Sequence, residues 1–179
     1  MTSRLIVFLL AAPCVVHSQR QLLVYTIPEE QDVGTEVGNI AEDSEIDLQL
    51  GQEEFDGLRW SMLQQDPRFN LVLFSIDQSS GVLRTADRID RDALCTYNLK
   101  CRLEIMVLAQ TESGQGFYTI NVKVDVMDVN DHAPVFPQSD LVVMISEDTV
   151  EQTSIPILTA TDVDIENNTI HGYSLRTPR

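Results

Sequence analysis

The segment FYTINVKVDV, residues 117–126, constrains the fold of this chain more than any other stretch. Ile120, Val122, Val124 and Val126 alternate with Asn121, Lys123 and Asp125. On an extended backbone that alternation puts branched apolar side chains on one face and polar ones on the other. A strand with one dry face needs a second layer to cover it. Similar runs recur as LLVYTI at 22–27, FNLVLFSI at 69–76, GVLRT at 81–85 and LKCRLEIMVLAQ at 99–110. Turn signals separate them: Asp66-Pro67, Gln78-Ser-Ser-Gly81 and Ser113-Gly-Gln-Gly116. Short strands at this spacing, with no long amphipathic helix between them, predict an all-β, immunoglobulin-like sandwich. Trp60, the single tryptophan, is expected in its core.

The alternating strand runs straight into DVNDHAPVF, residues 128–136, where Asp128, Asn130 and Asp131 fall within four positions ahead of Pro134. Like charges a few ångströms apart repel by on the order of several kcal/mol per pair at an effective dielectric near 20. Something has to neutralise them. Three further clusters share the character: Glu29 in IPEE, Asp90 and Asp92 in IDRD, and Asp162 and Asp164 in ATDVDIENN. Calcium takes six to eight oxygen ligands from carboxylates, amides and carbonyls in irregular geometry, and such clusters supply them. On an extended backbone Asp90 and Asp92 project the same way and Arg91 the other. Any one cluster alone is ordinary turn chemistry; four in one chain are harder to explain that way.

The N-terminus, MTSRLIVFLLAAPCVVHSQ, carries Arg4 before an apolar run from Leu5 to Val16, with Val16 and Ser18 set as a signal-peptidase site. Residues 1–18 are expected to be an export signal, being too short to span a bilayer, which takes about 20 apolar residues. Cleavage removes Arg4 and no acid, so the net charge of −16 becomes −17. Such a charge argues against nucleic acid and for a divalent cation. Cleavage also removes Cys14 and leaves Cys95 and Cys101 in an oxidising compartment, where a local disulfide is expected. A loop that small contributes roughly 2 to 3 kcal/mol, enough to fix a loop but not to hold a fold. Zinc, the alternative, needs two further close ligands, and His17, His132 and His171 are scattered.

The chain also repeats itself. YTIPEEQDVGTEVGNIAED, from Tyr25, is echoed by VMISEDTVEQTSIPILTATD, from Val143, with Glu29 falling on Glu147. The first copy is complete over about 19–130, while the second begins near 131 and stops short at 179. The chain is therefore expected to be a fragment.

In this order the clusters resemble the motifs of cadherin repeats. DVNDHAPVF is similar to the linker DxNDxxPxF, IDRD to the DRE motif, IPEE and ISED to the strand-A glutamate motif, and TDVD to the DxD motif. YTIPEEQDVGTEVGNIAED, SGVLRTADRIDRDALC and the two cysteines after them look most like the first repeat of a protocadherin. The resemblance implies tandem Greek-key repeats: a signal peptide at 1–18, a first repeat at 19–130, and a linker with a partial second repeat at 131–179.

It also implies up to three calcium ions at the junction. Side-chain ligands would be Glu29, Asp90, Asp92, Asp128, Asn130, Asp131, Asp162 and Asp164, with backbone carbonyls of Val129, His132 and Asn168. Three divalent cations would bring the seven carboxylates from −7 to about −1. Asp92 stands where the family has glutamate, one methylene longer, which leaves open whether two ions or three are held. Ser44 and Ile46 stand where the second copy has Asp162 and Asp164, so no calcium junction is expected before the first repeat.

The function implied is calcium-dependent cell–cell adhesion, with an identical cadherin on an opposing cell as partner. The chain would face outward at the plasma membrane, held by an anchor further downstream; a secreted calcium-binding protein or decoy is the alternative. Strand swapping through an N-terminal tryptophan is not expected, since Trp60 lies far from that end. Asn167-Asn168-Thr169 is an acceptor triplet for glycosylation at Asn167. No nucleophile elbow, DTG-like loop or His/Ser/Asp arrangement is present, so no enzyme is expected and no catalytic residue is assigned.

Overall fold

The computed structural model describes residues 21–96, 98–114 and 116–176. The expected signal segment, residues 1–18, lies outside them. Among the described residues seven strands form two sheets: β1 (Gln21–Pro28), β2 (Glu36–Asn39), β3 (Arg59–Gln64), β4 (Phe74–Ile76), β5 (Val82–Thr85), β6 (Cys101–Gln110) and β7 (Phe117–Met127). One sheet has the order β1-β7-β6-β3 and the other β2-β5-β4. Three short helices interrupt them, α1 (Ile40–Asp43), α2 (Gln52–Asp56) and α3 (Arg91–Leu94), together with a 3-10 turn at Ile46–Leu48.

The predicted alternation on β7 is the packing pattern. Ile120, Val122, Val124 and Val126 are buried, while Asn121, Lys123 and Asp125 are only half-buried. Leu103, Ile105 and Val107 of β6 lie on the same inner face, against Leu83 and Phe74 of the second sheet. Burying each such side chain contributes about 1.5 to 3 kcal/mol. Trp60 is buried in β3 as expected. The turn at Gln78–Gly81 is built by Asp77, whose carboxylate accepts from the backbone N–H groups of Ser79 and Ser80. Gly81 adopts φ +72° there, and an added Cβ would lie 2.9 Å from the Ala41 Cβ.

One strand expectation is corrected. FNLVLFSI does not form a strand until Phe74. The Gln65 side chain accepts from the backbone of Leu73 and Phe74 and donates to the Phe74 carbonyl, which satisfies the start of β4 on its unpaired edge. Residues 131–176 form no strand, and only a bridge between Val135 and Thr161 orders them in that sense. Met144 and Val142 are more than four-fifths exposed, so among the described residues these apolar runs have no sheet to join.

One feature of the topology positions the site. β1 pairs in parallel with β7, so both strands reach the same end of the sandwich together. The backbone N–H of Glu29 donates to the Met127 carbonyl at 2.9 Å, and that of Glu30 to Ile89 at 2.9 Å. Three segments distant in sequence, those at 29–30, 89–92 and 127–131, therefore meet at one edge.

Candidate metal centre

Glu29 lies at the centre of this edge, 1% exposed. Its carboxylate accepts from the backbone N–H of Arg91 at 2.6 Å and of Val129 at 3.0 Å. Burial raises its pKa above the ordinary glutamate value against the pull of those two donors, and Asp92 and Asp131 raise it further.

The IDRD segment is not extended, which corrects the expectation that Asp90 and Asp92 project together and Arg91 away. Residues 91–94 form a helical turn capped by Asp90, whose side chain accepts from the Ala93 N–H at 2.8 Å. Asp90 is exposed, whereas Asp92 and Arg91 are both buried. The Arg91 guanidinium points into the acids. Its Nη1 lies 3.1 Å from Asp92 Oδ1 and 3.1 Å from Asp128 Oδ1, and its Nη2 donates to the Asn98 carbonyl at 2.5 Å. Burial and the nearby Asp128 still raise the Asp92 pKa, against the opposing pull of Arg91.

The linker joins this edge to the following segment. Asp128 Oδ2 accepts from the Ile165 N–H at 3.1 Å and from Asn168 Nδ2 at 3.0 Å. Asn130 Nδ2 donates to the Asn168 carbonyl at 3.3 Å. Asp164 is buried, and its Oδ2 accepts from the His132 N–H at 3.3 Å. Asp162 supports it by accepting from the Asp164 N–H at 3.1 Å. The Val129 carbonyl accepts from the Asp131 N–H at 2.9 Å.

Three groups of ligand atoms, each within 4.8 Å of one another, result: Glu29, Glu30 and Asp90; Glu29, Asp92 and Asp128; and Asp92, Asp131, His132 and Asp164. Glu29 is shared by the first two and Asp92 by the last two. Of the carboxylates expected from sequence, Asp162 stands outside the groups. His132 enters through its ring and not only its backbone: Nδ1 lies 2.8 Å from Asp131 Oδ1, 3.1 Å from Asp92 Oδ2 and 3.3 Å from Asp164 Oδ1. Desolvation lowers the pKa of this ring, but the three carboxylates, Asp131 foremost, outweigh it and raise the value overall. Glu30 was not singled out from sequence. Its only signal was adjacency to Glu29, and it also pairs with Arg88.

The donor set suits a hard cation. Asp92 Oδ2 and Asp164 Oδ1 are buried without a hydrogen-bond partner among the described residues, and buried carboxylate oxygens left so are costly. They come from opposite sides of the linker and converge on the place held by the His132 ring.

A family model described as cadherin-like matches residues 22–111. The chain belongs to the cadherin family. Its curated relatives include human protocadherin-17, 33% identical over 94% of this chain, and human protocadherin gamma-A12, 36% identical over 84%. The chain spans only 14% and 15% of the lengths of those two proteins. Among solved structures, a crystal structure of protocadherin gamma C5 EC1-3 aligns over 88% of this chain and 47% of that one, with TM-score 0.69 and 31% identity. The extracellular domain of protocadherin gamma B4 aligns over 87% of this chain and 23% of that one, with TM-score 0.67 and 32% identity. The two-sheet architecture is thus the all-β cadherin fold. No helix among the described residues is long and apolar enough to cross a membrane.

Proposed function

We propose that this chain is the outer part of a protocadherin-like adhesion receptor, in which calcium fixes the angle between a first repeat at 19–130 and a second beginning at 131. The observation that carries the reading is the pair of buried oxygens on Asp92 and Asp164, one from each side of the linker, which accept no hydrogen bond among the described residues and have only the His132 ring as a counter-group. Glu29, Glu30, Asp90, Asp92, Asp128, Asp131 and Asp164 would hold the ions, with Asn130 and Asp162 and the carbonyls of Val129, His132 and Asn168 completing their shells. Bound calcium supplies positive charge to carboxylates that otherwise repel. The three groups support up to three sites. Membership of Asp92 in two of them supports its bridging role despite the shorter side chain.

The chain's own residues do the rest. Glu29 anchors the first repeat's edge by accepting the Arg91 and Val129 N–H groups, while Asp128, Asn130 and Asn168 tie the following segment to the linker. When the acids are not neutralised, repulsion across the linker loosens that tie and the junction bends. A stiff junction lets the outer surface meet a second cadherin, an identical chain on an opposing cell, in a defined orientation. Export through the signal at 1–18, attachment to the plasma membrane through a longer form, and a glycan at the exposed Asn167 belong to the same reading.

The adhesive claim is tested with beads carrying a longer, multi-repeat form of the receptor. Aggregation in millimolar calcium that disperses in chelator is expected. Aggregation of equal extent in chelator refutes calcium dependence, and mixing with beads that carry a divergent relative tests self-recognition.

A further inference from the structure

The disulfide loop touches the acid cluster at the Arg91 guanidinium, through Asn98, and at the Asp92 carbonyl, which accepts from Thr96 Oγ1 at 2.7 Å. Cys95 and Cys101 are bonded across a sequence separation of 6, with Cα atoms 5.5 Å apart. At one end of the loop the Cys95 N–H closes α3 by donating to the Arg91 carbonyl at 2.7 Å. At the other end Cys101 pairs with Val126 of β7, two residues before Asp128. Within the loop the Asn98 N–H donates to the Cys95 carbonyl at 2.8 Å, and the Asn98 carbonyl accepts from Arg91 Nη2. The circuit from Asp128 through Arg91 and Asn98 to the disulfide, and back through Val126, is closed.

Arg91 is 1% exposed, so its planar fork has little freedom once all three acceptors are in place. Holding Asp92 Oδ1 and Asp128 Oδ1 leaves Asp92 Oδ2 without a hydrogen bond among the described residues, 3.1 Å from the His132 ring and grouped with Asp131 and Asp164. The guanidinium therefore decides which oxygen of Asp92 is offered to a cation. The loop decides where the guanidinium sits.

We propose that Arg91 is a positioning residue through which the Cys95–Cys101 loop sets the calcium affinity of the junction. The proposal rests on the calcium reading of the site. Groups that orient metal ligands without touching the metal typically change affinity by about 10- to 100-fold when removed, and the lower end suits an oxygen site of this kind. Lysine at 91 keeps the charge but presents one nitrogen in place of a fork. Serine at both cysteines leaves the charge unaltered and frees Asn98.

The test is a double-mutant cycle on the secreted chain, read by calorimetric calcium titration and by melting temperature in chelator. Arg91→Lys and the pair Cys95→Ser/Cys101→Ser are each expected to weaken calcium binding about tenfold. All three changes together are expected to weaken it no more than twofold beyond either alone, because both act through the Arg91–Asn98 contact, whereas Thr96 holds the Asp92 carbonyl and not its carboxylate. Independent, multiplying losses overturn the proposal, as does a lowered melting temperature with unchanged calcium affinity. If the serine pair shows no cooperative melt, Arg91→Lys decides alone: tenfold weaker binding supports the proposal and unchanged binding refutes it. No saturable uptake by the wild-type chain overturns the calcium reading itself, and this proposal with it.

Discussion

Replacing Asp92 by asparagine should make the protein more stable without calcium and less responsive to it. Asp92 is 5% exposed, and its ligand oxygen lies within 4.8 Å of those of Glu29 and Asp128. At an effective dielectric near 20, each of those like-charge pairs costs about 3.5 kcal/mol at that distance. The Arg91 contact at 3.1 Å returns about 5 kcal/mol on the same scale. On these three contacts a repulsion of about 2 kcal/mol remains; Asp164 adds to it and the His132 ring opposes it, with burial keeping the Asp92 pKa raised overall, and the asparagine amide removes this charge while its oxygen can still accept from Arg91. In chelator the variant should therefore melt higher, by about 3 °C per kcal/mol. Calcium acts in the other direction. Asp92 belongs to two of the three ligand groups, so binding should weaken by at least a decade, and each decade removes about 1.4 kcal/mol of stabilisation by mass action. Melting temperature plotted against calcium for the two proteins should cross. A variant that melts lower than wild type in chelator and keeps the full calcium shift refutes the reasoning.

Asp66 is a control remote from the junction. Its buried carboxylate pairs with Arg68 and accepts from the Glu104 N–H, and the Arg68 hydrogen bonds hold its pKa below the ordinary 3.8. A depressed carboxyl contributes stability that is present above its unfolded value and is lost as pH falls through the folded one. Asp66→Asn should thus cost about 1 to 3 kcal/mol at neutral pH, flatten the acid limb of the stability profile below about pH 4, and leave the calcium shift unchanged in melts with and without chelator. Leu83→Ala, at a fully buried position in β5, should cost about 2 to 5 kcal/mol in denaturant titration without altering the calcium midpoint. Asn167→Gln, in protein secreted from cells that glycosylate, should abolish the mobility shift produced by an N-glycan-cleaving enzyme and retain calcium binding, since it is Asn168 that contacts Asp128.

Much of this architecture is legible in the chain itself, and particular residues show where legibility ends. β6 and β7 are long, and their dry faces read directly as alternation. β3 escaped notice because only Trp60 of RWSMLQ is fully buried, so no period of two stands out. FNLVLFSI had a strand's composition, but only its last three residues pair with β5, a partner outside the window. The acid clusters were visible as a set because each lies in a turn or at a strand end. Their internal geometry was not, because a helical turn of four residues at Arg91–Leu94 leaves no periodic trace. That turn reverses the expected roles within IDRD, sending Asp90 outward as a cap and Arg91 inward as a counter-charge. The ring of His132 was likewise invisible: its place among three carboxylates depends on Asp164, 32 residues further along.

Calcium titration of the secreted wild-type chain, followed by thermal melting, tests the central claim most directly. Saturable stabilisation is predicted, with a midpoint of about 0.1 to 1 mM, the range of extracellular calcium modules, and reversal in chelator. A melting temperature that stays constant from chelator to about 10 mM calcium, well above that range, contradicts it.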